Sequence, residues 1–181
     1  MTRYVTLLAA AVTLTGGTAL FAQSGSSDRM NNGNLSSADR TFMMKAAQGG
    51  MAEVKLGELA KQNGQNQAVK DFGQKMVDDH SKANDQLKSI AGQLNVTLPS
   101  GLDAKDQATY DRLSKLNGAA FDKAYMRDMV SDHKKDIAEF QKEANSGSNA
   151  DVKNFASQTL PTLQEHLSMA EKADTQVRSG K

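Results

Sequence analysis

The three histidines of the sequence, His80, His133 and His166, are the residues best suited to chemistry. Each lies in a long stretch whose apolar residues recur at spacings of three and four, and each falls on that inward-facing stripe. Glu53 takes the equivalent position in a fourth stretch. Since all four residues fall near the middle of their stretches, we expect them to form one polar layer at the waist of a helical protein.

A repeated motif surrounds two of these histidines. Residues 72–82 and 125–135 share an aromatic residue, three residues, Met-Val, one residue, Asp-His, one residue and Lys. Each of the three histidines follows an acidic residue and has a methionine one turn away; these are Asp79, Asp132 and Glu165, and Met76, Met129 and Met169. The preceding acid lies about 100° around a helix from its histidine, which suits it to orienting a side chain on a neighbouring helix.

Three imidazoles and one carboxylate form a ligand set suited to zinc, copper or iron. If the layer binds metal, we expect one ion and not two, because a two-metal centre needs several bridging carboxylates. The flanking acids and methionines are auxiliary candidates, and the methionine sulfurs favour reduced copper. The alternative is a structural layer, in which the histidines form a hydrogen-bond network and the methionines fill space.

Four long amphipathic stretches without strand-like alternation predict an all-α fold. The predicted long helices cover residues 37–62, 66–94, 119–145 and 148–177, and a short helix covers 103–116. Joints of about three residues make each pair of long helices an antiparallel hairpin, and a long connection with the short helix joins the hairpins. This arrangement is the ferritin-like four-helix bundle, with a simple up-and-down bundle as the alternative. Pro161 is expected to interrupt and kink the last helix.

The first 22 residues have the pattern of a secretory signal peptide. Arg3 precedes a short apolar run, and the segment ends at Ala22 before a stretch rich in Ser and Gly. An uncleaved anchor is the alternative, although the run is short for a bilayer. We therefore expect a signal peptide over 1–22, a flexible leader over 23–36 and a folded domain over 37–178. The mature protein is expected in the periplasm, in the cell envelope or secreted, without a membrane span.

Composition argues against several classes of protein. Lys and Arg total 22 against 21 Asp and Glu, a balance that argues against nucleic-acid binding. The sequence has no cysteine, which excludes a disulfide scaffold and a cysteine nucleophile. It also has no phosphate-binding loop, dinucleotide-binding glycine pattern or nucleophile elbow. We identify no catalytic residue, which favours a protein that is not an enzyme.

Five segments together resemble a bacterial family of unknown function: residues 51–57 (MAEVKLG), 76–80 (MVDDH), 121–125 (FDKAY), 129–133 (MVSDH) and 160–166 (LPTLQEH). Its members are exported, are often described as outer membrane or periplasmic proteins, and are grouped with ferritin-like proteins. The resemblance covers residues 37–173 and implies fold and export, since the activity of the family is unsettled. The Glu-x-x-His motifs of di-iron ferritins are missing, because Val77, Val130 and Leu163 occupy the Glu positions.

Two functions are compatible with these observations. The first is a non-catalytic envelope protein that acts through contacts with an envelope partner or in stress protection, with the bundle as a scaffold. The second is a protein that binds copper, zinc or iron through the histidine and glutamate layer.

Export can be tested by the mass of the protein isolated from cells. We expect residues 1–22 to be missing, because a signal peptidase cuts after a small residue such as Ala22. Mass spectrometry of the intact protein measures this directly. A full-length chain retained in the membrane fraction would contradict the assignment.

Overall fold

The computed structural model describes residues 35–180, which form five α-helices and no strand. The helices are α1 (Ser37–Asn63), α2 (Gln67–Gln93), α3 (Ala104–Leu113), α4 (Gly118–Ser146) and α5 (Ala150–Ser179). The predicted all-α class is therefore confirmed. The signal peptide predicted over 1–22 lies outside the described residues, as does nearly all of the leader predicted over 23–36.

Capping residues in the sequence explain where most helices begin. Ser36 and Asp39 form a capping box at the start of α1, each accepting a hydrogen bond from the other's backbone N–H. Side chains of Asn66, Asp103 and Asn149 accept hydrogen bonds from the first turns of α2, α3 and α5. The short helix ends earlier than predicted, at Leu113, where a turn replaces its last residues.

Two hydrophobic clusters fill opposite ends of the helical bundle. The first hydrophobic cluster joins the C-terminal halves of α1 and α5 to the N-terminal halves of α2 and α4, and includes Leu56, Phe72, Tyr125 and Ala173. The second hydrophobic cluster joins the other halves and includes Phe42, Leu87 and Phe155, with the partly buried Phe140 of α4 packed against it. Because α2 ends in the second cluster and α4 begins in the first, the connection over residues 94–117 crosses the length of the bundle.

Ionisable side chains separate the two hydrophobic clusters. In each long helix one such residue lies between the segments that enter the two clusters: Glu53 in α1, His80 in α2, His133 in α4 and His166 in α5. All four are buried, with exposed fractions between 0% and 7%. The waist of the bundle is therefore polar and shielded from solvent.

Each hairpin is tied to the other by an aspartate near its start. Asp39 in α1 accepts hydrogen bonds from the backbone N–H groups of Ser148 and Asn149, in the turn between α4 and α5. Asp122 in α4 accepts from the N–H groups of Gln65 and Asn66, in the turn between α1 and α2. Both carboxylates are buried. This reciprocal contact fixes the relative height of the two hairpins.

Pro161 does not interrupt the last helix, in contrast to the sequence-based expectation. The helix α5 runs continuously from Ala150 to Ser179 with Pro161 inside it. A proline removes one hydrogen bond of a helix, and packing of the flanking turns against the other helices compensates for that loss.

No helix within residues 35–180 is long and apolar enough to cross a membrane.

Helices α1 and α2 approach closely at two glycines. A Cβ atom on Gly57 would lie 2.6 Å from the Gly73 carbonyl oxygen, and one on Gly73 would lie 2.8 Å from the Gly57 carbonyl oxygen. Both distances are shorter than any real contact. Only glycine at these two positions lets the helix backbones pack at this spacing.

We expect Gly57→Ala to lower the free energy of unfolding by about 1–3 kcal/mol, because the added methyl group forces the helices apart. The matched control is Gly49→Ala in the same helix, where an added Cβ meets no atom within 4 Å. This control should gain about 0.5–1 kcal/mol from the better helix propensity of alanine. Urea denaturation followed by circular dichroism measures both values. Equal effects of the two substitutions would show that the close approach does not limit packing.

Candidate metal centre

The three histidine rings converge between α2, α4 and α5. Ring centroids of His133 and His166 are 5.4 Å apart, and His80 lies 6.0 Å from His133 and 5.4 Å from His166. Each ring offers one nitrogen to a group whose members all lie within 4.8 Å of one another. We call these three residues the histidine cluster.

The hydrogen bond of His133 to its own helix determines which nitrogen has the proton. Its Nδ1 lies 3.0 Å from the carbonyl oxygen of Met129, which can only accept, so the proton is on Nδ1. Burial, together with the charge of His166, lowers the pKa of His133 to about 4, so the ring is neutral at pH 7. Its Nε2 therefore has a free lone pair, which faces His166.

A neighbouring helix orients His166 in the same way. Its Nε2 lies 2.8 Å from the Asp79 carboxylate, which is also bonded to Lys75 at 3.1 Å. Burial raises the pKa of Asp79, but the hydrogen bonds from His166 and Lys75 outweigh it, and the net shift is downward. Because an ionised carboxylate only accepts, Nε2 of His166 has the proton and Nδ1 has the lone pair.

Two nitrogen lone pairs thus face each other inside the protein. Nε2 of His133 and Nδ1 of His166 are 3.4 Å apart, and when both rings are neutral no proton lies between them. Two nitrogens bound to one tetrahedral zinc ion at 2.0–2.1 Å are separated by about 3.3 Å. The spacing of this pair therefore suits a shared metal ion better than a hydrogen bond.

The third ring, His80, also has a nitrogen without a partner. Its Nε2 is buried and has no hydrogen bond to any residue within the described part of the chain. Burial lowers the pKa of His80 well below its usual value, and the charges of His133 and His166 lower it further. His80 is thus a neutral, buried ligand candidate.

Glu53 lies on the far side of His133 from these lone pairs. Its Oε1 is 4.0 Å from Nδ1 of His133, the nitrogen that already donates to Met129. Glu53 instead groups with Asp132 and Asp136, whose carboxylate oxygens lie within 4.8 Å of one another. We call these three residues the carboxylate cluster.

Burial and mutual repulsion raise the pKa values of two acids in the carboxylate cluster. Burial raises the pKa of Glu53 well above its usual value, and the charges of Asp132 and Asp136 add to the effect. Burial and the charge of Asp132 raise the pKa of Asp136 to about 7. Asp136 was not among the residues predicted from the sequence; its spacing of four residues from Asp132 in one helix was the available signal.

The remaining auxiliary candidates take part in other contacts. Met76 and Met129 are buried members of the first hydrophobic cluster, and Met169 packs against it. Glu165 is exposed, and its Oε1 lies 3.5 Å from Nζ of Lys75. Packing in the hydrophobic cluster therefore accounts for the three methionines, and an ion pair on the surface accounts for Glu165.

Two cavities reach the histidine cluster from different sides. One, of about 340 Å³, opens between α2 and α5 and is lined by Asp79, His80 and His166. The other, of about 290 Å³, is lined by His80 together with Asp132 and Asp136. His80 therefore borders both cavities, which gives small ions a path to its ring.

Comparison with known proteins agrees with the all-helical fold. A crystal structure of a DUF305 fragment from Deinococcus radiodurans is similar, with a TM-score of 0.70 over 78% of this chain and 98% of that chain. The sequences are 13% identical, so this likeness concerns the fold alone. No curated protein matches the sequence. A family model described as a domain of unknown function, DUF4142, matches residues 24–173, and the chain belongs to this family.

Proposed function

We propose that the protein binds one zinc or copper ion through His80, His133 and His166. The observation that carries this proposal is the 3.4 Å distance between Nε2 of His133 and Nδ1 of His166. Each of these rings is fixed by a hydrogen bond at its other nitrogen. This is how outer partners orient imidazole ligands in metal proteins.

The donor set favours zinc or oxidised copper over reduced copper. Neutral imidazole suits zinc and copper, whereas reduced copper prefers sulfur ligands. Met76 and Met129, each one helical turn before a histidine of the cluster, are accounted for by the first hydrophobic cluster. Three protein ligands leave one position of a tetrahedral ion for water or an exchangeable ligand. The cavity between α2 and α5 provides room for that ligand.

The ion is bound outside the cytoplasm in this proposal. Residues 1–22 have the pattern of a signal peptide, and the domain follows it. The four long helices form a ferritin-like bundle with α3 in the crossover connection. The protein acts there without catalysis, holding the ion or passing it to an envelope partner.

Metal titration tests this assignment. We expect the chelator-treated protein to bind about one equivalent of zinc or copper(II) in an anaerobic calorimetric titration, and His80→Ala or His133→Ala to bind about ten- to a thousandfold more weakly. His80 is the cleaner position, because its Nε2 has no hydrogen bond within residues 35–180 that the substitution would break.

Gln86→Ala is the matched control for this titration. Gln86 is exposed in the same helix and lines the same cavity, but it has no imidazole. The affinity of Gln86→Ala for zinc or copper(II) should equal that of the wild type. Circular dichroism should show that all variants are folded. Equal, weak binding by wild type and both histidine variants would mean that the histidines are only a structural network.

The protonation of the metal-free protein provides an independent test. At pH 7 we expect Nδ1–H on His133 and Nε2–H on His166, read from two-bond ¹H–¹⁵N correlation spectra. His133 should stay neutral until the pH approaches its pKa of about 4. Because the unfolded chain takes up this proton near pH 6.5, the contribution of His133 to the free energy of unfolding should fall as pH drops from about 6.5 to 4. The raised pKa of Asp136 acts in the opposite direction over this range, so the contribution of His133 is read from the difference between the wild type and His133→Ala. A proton on Nε2 of His133 would contradict the lone-pair geometry.

A further inference from the structure

Glu53 is a buried acidic side chain without a hydrogen bond. Its exposed fraction is 1%, and neither carboxylate oxygen has a hydrogen-bond partner among residues 35–180. The nearest ion-pair candidate, Nδ1 of His133, is 4.0 Å away and already donates to the Met129 carbonyl. A buried carboxyl group left in this state costs free energy that a bound cation would remove.

The oxygens near Glu53 come from one face of a single helix. Asp132 and Asp136 are four residues apart in α4, so their side chains lie next to each other. Together with Glu53 from α1 they place three carboxylates within 4.8 Å of one another. A ligand set of carboxylate oxygens alone is typical of hard divalent cations.

Lys105 supplies positive charge to the carboxylate cluster from the protein surface. Lys105 of α3 lies 3.7 Å from Asp132 and 3.8 Å from Asp106, and its side chain is 67% exposed. It pairs with Asp132, one of the three acids of the carboxylate cluster, and with Asp106 outside the cluster, whereas Glu53 forms no ion pair with a lysine or arginine in the described part of the chain. A divalent cation would neutralise charge at the buried oxygens of Glu53, with which Lys105 forms no ion pair.

We propose that Glu53, Asp132 and Asp136 form a second metal site, distinct from the histidine cluster, that binds one divalent cation with a preference for oxygen ligands, such as Mn²⁺ or Mg²⁺. The cavity of about 290 Å³ lined by Asp132 and Asp136 gives the ion access and room for bound water. Retained water is what small hard cations require.

The two sites lie on opposite sides of one imidazole. The Nε2 of His133 faces the histidine cluster, whereas its Nδ1 lies 4.0 Å from Glu53. The waist layer therefore divides into a nitrogen site for zinc or copper and an oxygen site for a hard cation. Because the ligand residues of the two sites are different, each can be removed without removing the other.

A titration with Mn²⁺ followed by electron paramagnetic resonance tests the second site. The six-line signal of free Mn²⁺ should decrease until about one equivalent has bound to the chelator-treated protein, and excess Mg²⁺ should restore it. Asp136→Asn, which keeps the size of the side chain, should weaken binding about tenfold or more. Glu53→Gln should have an effect of the same size.

Two control variants separate this proposal from others. Glu139 lies in α4 and lines the same cavity as Asp136, but it is outside the carboxylate cluster. The Mn²⁺ affinity of Glu139→Gln should therefore stay within about twofold of that of the wild type. His80→Ala should also keep Mn²⁺ binding, even though it weakens zinc binding. If circular dichroism shows that Asp136→Asn is unfolded, Asp132→Asn takes its place with the same expected loss.

Three outcomes would overturn the second site. The first is a wild type that binds no Mn²⁺ at millimolar concentration. The second is an equal loss in Glu139→Gln and Asp136→Asn, which would indicate diffuse attraction to surface acids. The third is loss of Mn²⁺ binding in His80→Ala but not in Asp136→Asn. Failure of zinc to bind would refute the histidine site and leave these Mn²⁺ outcomes unchanged.

Discussion

The structure depends on the burial of polar nitrogens between two hydrophobic clusters. The side chains of His133 and His166 are fully buried there, and an unmade hydrogen bond in such a place costs about 1–3 kcal/mol. Each ring therefore uses one nitrogen for an acceptor that the fold supplies, the Met129 carbonyl or the Asp79 carboxylate. The other nitrogens face one another, and a cation is the partner that would satisfy them together.

These side chains meet only if the four long helices stay aligned along the axis of the bundle. Asp39 and Asp122 set that alignment by binding backbone N–H groups in the turn of the opposite hairpin. The close contact of Gly57 and Gly73 sets the spacing within the first hairpin. A slip of one helical turn would move an imidazole by about 5.4 Å, enough to separate it from the others.

The two Asp-His motifs serve different partners because their neighbours differ. Asp79 of α2 binds the imidazole of His166 in α5, and a proton lies between them. Asp132 of α4 instead lies near the carboxylate of Glu53 in α1, and like charges meet there. The same motif therefore orients an imidazole on one side of the bundle and builds an anionic group on the other.

The sequence by itself determined the helices and the residues of the polar layer. Caps at Ser36, Asn66, Asp103 and Asn149, together with apolar spacings of three and four, set the bounds of the helices to within a few residues. Mid-helix positions on the inward stripes identified Glu53 and the three histidines. These features are local, because capping and amphipathic periodicity involve residues within a turn or two of each other.

Only the tertiary structure decided which atoms meet. The rotation and packing of the helices determine on which side of His133 the Glu53 carboxylate lies. They also bring Asp136 into the carboxylate cluster and make His166 the partner of Asp79. The continuous course of α5 through Pro161 has the same origin, because packing compensates for a lost backbone bond. Such contacts join residues far apart in the chain, and the spacing within one helix does not contain that information.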